Sequence, residues 1–134
     1  MKRTKKGFTL IELIVVFAII AIIAAIAVPT AFGSIEKARI AADSATVDSI
    51  NSAVRVYSAL QMADSTATPS GTVGDALTQS AMTLADEWQH TGSGVDWNPG
   101  ASAGQPGSFL YKSTGGTITD IKAIAAVDIF TPAA

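Results

Sequence analysis

The sequence predicts an α+β protein in which one long amino-terminal α-helix packs on a small antiparallel β-sheet. Three observations support this prediction. The first is an apolar run at residues 8–28, and the second is a helical repeat of apolar residues that follows it. The third is a carboxy-terminal region in which glycine-rich turns separate short β-branched stretches, as in small sheets. Because such a sheet has one apolar face to cover, the second half of the helix is expected to pack on it.

The apolar run is long enough to cross a membrane. Of the 21 residues from 8 to 28, 19 are apolar, and the exceptions are Thr9 and Glu12. As a helix rising about 1.5 Å per residue, the run is about 31 Å long, which matches the hydrocarbon core of a bilayer. Four basic residues precede it, and by the positive-inside rule they keep the amino terminus in the cytoplasm. They are Lys2, Arg3, Lys5 and Lys6.

Two simpler interpretations of this amino terminus are a secretory signal peptide and a plain membrane anchor. The sequence Ala25-Ile26-Ala27 has the small residues of a signal-peptide cleavage site, but the apolar region of a signal peptide runs only about 7 to 15 residues. Glu12 argues against both interpretations, because a carboxylate in a membrane span costs roughly 2.5 to 3.5 kcal/mol at mid-bilayer. A span that only anchors the chain has no use for it.

The stretch from Lys6 to Glu12 reads KGFTLIE, and with the apolar run and Pro29 it resembles the type IV prepilin signature. A short basic leader ends in glycine, phenylalanine follows, a glutamate stands four residues later, and a proline follows the apolar stretch. The resemblance in sequence ends at Pro29, and beyond it the resemblance is one of architecture only.

This resemblance implies that a prepilin peptidase cuts between Gly7 and Phe8 and methylates the new amine of Phe8. It also gives Glu12 a partner, because the carboxylate of one subunit can face the Phe8 amine of its neighbour in a helical bundle. A charge pair in a low-dielectric core is attractive, whereas either member alone is costly. The resemblance therefore assigns Gly7 and Phe8 to processing, and Phe8, Glu12 and Pro29 to assembly.

Pro29 and Gly33 both weaken a helix, so a kink or a locally melted stretch is expected there. The alternative is that the helix simply ends at the membrane surface. Against this, an apolar stripe at helical spacing follows at once, and the helix is predicted to continue to about Met62. The stripe consists of Ile40, Val47, Ile50, Val54 and Tyr57. The opposite face, with Glu36, Asp43 and Arg55, is predicted to meet solvent or another subunit.

The chain is predicted to have four segments. They are a basic leader at 1–7, an apolar helix at 8–29, its amphipathic continuation at 30–64 and a small globular domain at 65–134. In the globular domain a short helix capped by Asp75 is predicted at about 75–89, followed by an irregular loop at 91–107. Strands are predicted within 109–130: a hairpin of 109–112 and 117–119 around a turn at 113–116, and a third strand at 121–130.

The composition offers little for catalysis. The chain has one histidine and no cysteine, and it lacks a phosphate-binding glycine loop and a serine-centred elbow. Two groups of residues offer ligands for a metal: Asp86, Glu87, His90 and Asp96 form one, and Asp96-Trp97-Asn98 offers oxygen ligands for calcium. A solvated helix end is the simpler explanation of the first group. The sequence therefore predicts no enzyme activity, no metal and no cofactor.

The prediction for function is a structural subunit, a type IV pilin. It would sit in the cytoplasmic membrane as a single span with its amino terminus inside, then polymerise with its own kind into a helical filament on the cell surface. The filament would serve adhesion, motility or DNA uptake, and any nucleic-acid contact would belong to the filament, since the chain lacks a basic stripe. The resemblance implies three partners: a prepilin peptidase, a membrane platform protein and an assembly ATPase.

Two alternatives remain open at this point. A pseudopilin of type II secretion or a competence pilus subunit would share the amino-terminal motif and differ in what the filament does. A membrane-tethered binding module or adhesin would belong to a different class and would use the span only as an anchor.

Overall fold

The computed structural model describes residues 7–64, 66–98, 106–112 and 115–130. The chain divides into two compact units, Met1–Lys37 and Ala38–Ala134. Helix α1 spans Leu10–Ala63 and contributes to both units. The second unit adds helix α2 (Val73–Gln79), strands β1 (Gly94–Asn98) and β2 (Ser108–Lys112), and a 3₁₀-helix at Ile121–Ala126.

In the first unit α1 is apolar on all sides, and every side chain from residue 7 to residue 35 is exposed. Within the described part of the chain, α1 is the one helix long and apolar enough to cross a membrane. The helix continues through Pro29, so the expectation of a melted stretch there is wrong for the isolated chain. Proline removes one backbone hydrogen bond, while Thr30 Oγ1 donates to the Ala27 carbonyl at 2.8 Å and supplies a local bond. A kink at Pro29 stays a prediction.

The core of the second unit forms where α1 meets the rest of the chain. Val47, Ile50 and Val54 are buried, and Ile40 and Tyr57 are half-buried, as the predicted stripe requires. Val47, Ile50, Val54 and Tyr57 of the stripe share one hydrophobic core with residues of α2, the sheet and the 3₁₀-helix. The other buried hydrophobic residues of this core are Ala53, Val73, Ala76, Leu77, Val95, Phe109, Ile121, Ile124, Ile129 and Phe130. The predicted fold class, a long helix packed on a small antiparallel sheet, is confirmed.

Strands β1 and β2 pair antiparallel, with Trp97 opposite Phe109 and their ring centroids 4.5 Å apart. The predicted hairpin of 109–112 with 117–119 is therefore wrong. Strand β1 lies in the stretch predicted as an irregular loop, and Ile118 instead bridges to Val95 on the other edge of β1. Glycine permits this arrangement, because a Cβ on Gly116 would lie 2.4 Å from the Val95 nitrogen. Part of the predicted turn, residues 113 and 114, lies outside the described residues.

The sheet is attached to α1 by the side chain of Asn51. Its Oδ1 accepts a hydrogen bond from the Phe109 amide at 2.9 Å, and its Nδ2 donates to the Phe109 carbonyl at 3.3 Å. These are the backbone groups that Phe109 directs away from β1, since Phe109 and Trp97 form a non-hydrogen-bonded pair of the ladder. One carboxamide thus satisfies both groups, as a neighbouring strand would.

The stretch predicted as a third strand forms a 3₁₀-helix, so this prediction is also wrong. Asp120 caps the helix by accepting from the Lys122 amide at 2.9 Å. Ile121 and Ile124 are three residues apart, which places both on one side of a 3₁₀-helix, and both are buried in the core. Packing at this spacing overrides the β-propensity of the segment. After the helix the chain pairs with the segment before α2, since the Val73 amide donates to Val127 and the Ile129 amide to Gly71.

Helix α2 is shorter than the predicted 75–89 and begins earlier. Thr72 is its N-cap and forms a capping box with Asp75, so the cap is Thr72 rather than Asp75. The helix ends because Ala81 has a φ of 51°. The Ala81 amide then donates to Thr78 and the Met82 amide to Leu77, which is the hydrogen-bond pattern of a Schellman motif. The chain turns away here, and Leu84 and Trp88 reach the core from an irregular segment.

Replacing Ala81 by glycine is expected to stabilise the second unit by about 1 kcal/mol, because glycine adopts a left-handed conformation without the Cβ penalty. The measurement is thermal unfolding of the full chain in detergent, followed by the fluorescence of Trp88 and Trp97. The midpoint should rise by about 5 °C.

The matched control is Ala59→Gly, at an exposed position inside α1. The same chemical change should lower stability there by about 1 kcal/mol, because helical glycine loses more conformational entropy than alanine. Equal shifts for the two variants would contradict the role of the Ala81 backbone conformation.

Candidate processing and assembly site

The junction between Gly7 and Phe8 lies outside the helix and is exposed. Residues 7–9 have no regular secondary structure, and 91% of the Phe8 surface is accessible. A Cβ added to Gly7 would meet nothing within 4 Å. Packing among the described residues therefore does not require glycine at position 7.

Thr9 and Glu12 form a capping box at the start of α1. Glu12 Oε2 accepts hydrogen bonds from the Thr9 amide and from Thr9 Oγ1, both at 2.8 Å. In return, the Glu12 amide donates to Thr9 Oγ1 at 3.4 Å. The Leu13 amide donates to the Thr9 carbonyl, which marks Thr9 as the N-cap. Two amides that a helix start leaves without partners are thus satisfied within the chain.

The structure brings three of the sequence-predicted site residues together. Gly7, Phe8 and Glu12 line one shallow, open concavity with Thr9 at the amino-terminal end of α1. Pro29, the fourth, lies 17 residues beyond Glu12 on the same helix, about 26 Å away along the axis. It does not contribute to this site.

The family model described as the prokaryotic N-terminal methylation motif matches residues 2–28. The chain carries the type IV prepilin signature. The signature marks a type IV pilin-like or pseudopilin protein, and it points to a structural protein. It implies processing by a prepilin peptidase and assembly of a pilus in general, and it fits membrane anchoring before assembly. No curated protein and no solved structure matches the chain.

Thr9 is the site residue that sequence reasoning missed. The spacing Thr9-x-x-Glu12 before an apolar run is itself the pattern of a capping box. Both residues lie within the prepilin signature, and the resemblance to that signature assigns Glu12 to pairing between subunits. The structure gives the same carboxylate a partner within its own chain.

Asp43 was predicted on a solvated or subunit-facing side of α1, and this is wrong, because only 2% of its surface is exposed. Its Oδ1 accepts from the Gln89 amide at 2.8 Å. Its Oδ2 accepts from the His90 amide at 2.9 Å and from Ser93 Oγ at 2.6 Å. A buried carboxylate requires such donors. These hydrogen bonds attach the segment after α2 to α1. Ser93 Oγ also shares a hydrogen bond with the Tyr111 hydroxyl at 2.9 Å.

Two of the candidate metal ligands, Asp86 and Asp96, have other partners. Asp96 pairs with the Lys112 ammonium and accepts from the Thr117 hydroxyl and amide, the amide at 2.7 Å. The hydrogen bond from Lys112 and those from Thr117 lower the pKa of Asp96 to about 2. Asp86 pairs with Lys122 at 2.9 Å. Among residues 7–64, 66–98, 106–112 and 115–130, no group of three or more histidine, cysteine or acidic side chains could hold a metal ion.

Proposed function

We propose that this chain is a type IV pilin, a structural subunit without enzyme activity of its own. It is cut between Gly7 and Phe8, methylated at the Phe8 amine and polymerised into a helical filament. The observation that carries this proposal is a carboxylate placed in the first turn of a helix whose following surface is apolar and exposed on every side.

From residue 10 to residue 28 the exposed apolar surface of α1 must be covered by lipid or by other protein. A helix that is apolar all round is buried in lipid or in the core of a larger assembly. Lipid surrounds this surface before assembly, and the helices of other copies surround it in the filament. A soluble monomer with this surface would aggregate.

Glu12 has the capacity for a partner from another subunit. Both hydrogen bonds from Thr9 go to Oε2, and Oε1 accepts none from the part of the chain that the structure describes. The carboxylate can therefore keep the helix cap and also accept the cationic amine of Phe8 from a neighbouring copy. Burial of this pair in the filament core would fix the axial register of the subunits, because an unpaired charge there is strongly unfavourable.

Gly7 fits the same proposal. Since nothing in the described part of the chain contacts the position of its missing side chain, a peptidase subsite that admits only glycine accounts for the residue. Pro29 is proposed as the point where α1 can bend when the helices pack, because its missing amide weakens one turn.

The proposed path begins in the cytoplasmic membrane with the amino terminus inside and ends in an extracellular filament. A prepilin peptidase, a membrane platform protein and an assembly ATPase are its proposed partners. A pseudopilin or a competence pilus subunit would follow the same steps to a different filament, serving secretion or DNA uptake.

Mass spectrometry of the mature amino terminus tests the proposal. The expected first residue is a methylated Phe8, in protein purified from surface filaments made chiefly of this chain. A mature chain that begins after Ala27 would show a secretory signal peptide instead. A chain that stays in the membrane with its leader intact would show a tethered binding module, and either result overturns the proposal.

A further inference from the structure

We infer that Thr9 is a positioning residue for cleavage, because its capping box starts α1 at Leu10 and thereby holds the Gly7–Phe8 peptide outside the helix. This inference rests on the proposed processing at that bond. It adds a role that the prepilin signature does not assign, namely control of the backbone conformation at the junction.

The hydrogen bonds around Thr9 define where the helix begins. Its carbonyl accepts from the Leu13 amide, and its own amide is taken by Glu12 Oε2 at 2.8 Å. Residues 7–9 are not helical, and the side chain of Phe8 is 91% exposed. Among the described residues, the side-chain hydrogen bonds that cap the helix at this point come from Thr9 and Glu12.

The start of the helix decides whether the scissile carbonyl is accessible. If α1 began one turn earlier, the carbonyl of Gly7 would accept the amide of Ile11 in the regular helical pattern. That carbonyl is the group that a peptidase must attack, and the helix would also wrap the flanking side chains around it. A peptidase would then have to unwind the turn before binding it.

Loss of the cap favours this earlier start. The first four amides of a helix lack partners in the helix, and without Thr9 Oγ1 and Glu12 they would lie beside the apolar side chains of Leu10, Ile11 and Leu13 at the membrane boundary. Unsatisfied amides are costly in such surroundings. Extending the helix toward the basic leader moves the unsatisfied amides into water. The amides beside the apolar side chains then form hydrogen bonds within the helix.

A direct contact between Thr9 and the peptidase is the competing explanation, and side-chain chemistry separates the two. Serine and asparagine are good N-caps but differ from threonine in shape. Valine has the shape of threonine but cannot cap. If Thr9 acts by capping, the serine and asparagine variants should be cleaved rapidly and the valine variant slowly. If the peptidase recognises the shape of Thr9, the valine variant should be cleaved rapidly.

The experiment measures the cleavage rate of the full-length chain in membranes that contain prepilin peptidase, by the appearance of the mature mass. Thr9→Ser and Thr9→Asn are expected to match the wild type. Thr9→Val and Thr9→Ala should be cleaved about fivefold more slowly, the typical effect of losing an N-cap. Thr30→Val is the matched control, since it removes a threonine hydroxyl from the same helix, far from the junction, and its rate should be unchanged.

The backbone conformation gives a second readout. Carbon-13 chemical shifts of residues 7–9 in micelles should be non-helical in the wild type and in Thr9→Asn, and should move toward helical values in Thr9→Val. Wild-type cleavage of Thr9→Val, or cleavage of Thr9→Asn as slow as that of Thr9→Val, would overturn the inference while leaving the proposed function intact. A wild-type chain that is not cut between Gly7 and Phe8 would instead overturn the proposed function.

Discussion

Substitution of Gly7 by valine is expected to leave the chain uncleaved in the membrane. A peptidase subsite shaped for glycine would clash with two added methyl groups, and cleavage should slow on the order of a hundredfold or more. The fold should not change, because a Cβ at this position meets nothing within 4 Å. Intact-mass analysis of the membrane fraction measures the result directly, since the proposed cleavage would remove residues 1–7.

Gly33→Val is the matched control for this variant. Gly33 is also exposed and also has open space where a Cβ would be added, but it lies inside α1 and away from the junction. Its processing should equal that of the wild type. Mature-sized protein from the Gly7 variant would show that the junction has been assigned to the wrong bond.

Glu12→Gln is expected to be cleaved to the same extent as the wild type. When it is the sole subunit, it should yield at least about tenfold fewer filaments. Removing one member of a buried charge pair typically costs about 3 to 5 kcal/mol, because the other charge is left buried without a partner. Glutamine retains the size of the side chain and can serve in a capping box. The variant therefore removes the charge while keeping the helix start.

Filament yield is measured by shearing filaments from cells and comparing pelleted with membrane-bound chain. Glu87→Gln, an exposed acid in the second unit, is the control for a change of one charge. The proposed pair with Phe8 would be refuted by a Glu12→Gln strain that makes as many filaments as the wild type.

The long helix and its buried face were predictable because both depend on local patterns. The stripe from Ile40 to Tyr57 repeats at helical spacing, and the helix is 54 residues long, so the periodic signal is strong. Strand β1 was not predictable in the same way. Its pairing with β2 joins Gly94 to Lys112 across a glycine-rich stretch, and a strand in such a context exists only through its partner.

The same difference between local patterns and distant contacts applies to the site residues. Gly7, Phe8 and Glu12 stand in one short motif and could be assigned from the sequence alone. Asp43 could not, because the groups that hold its carboxylate lie 46 to 50 residues further along the chain. The sequence around a charged residue beside an apolar stripe does not indicate that distant amides will bind its carboxylate and that it will be buried.

The carboxamide of Asn51 on the Phe109 peptide has a consequence for how copies of this chain can associate. An incoming strand would have to displace that side chain before it could pair at Phe109, so lateral growth of the sheet from one molecule into the next is blocked at this position. Contacts between copies at this position are then limited to side chains, and no continuous backbone ladder joins one molecule to the next through Phe109.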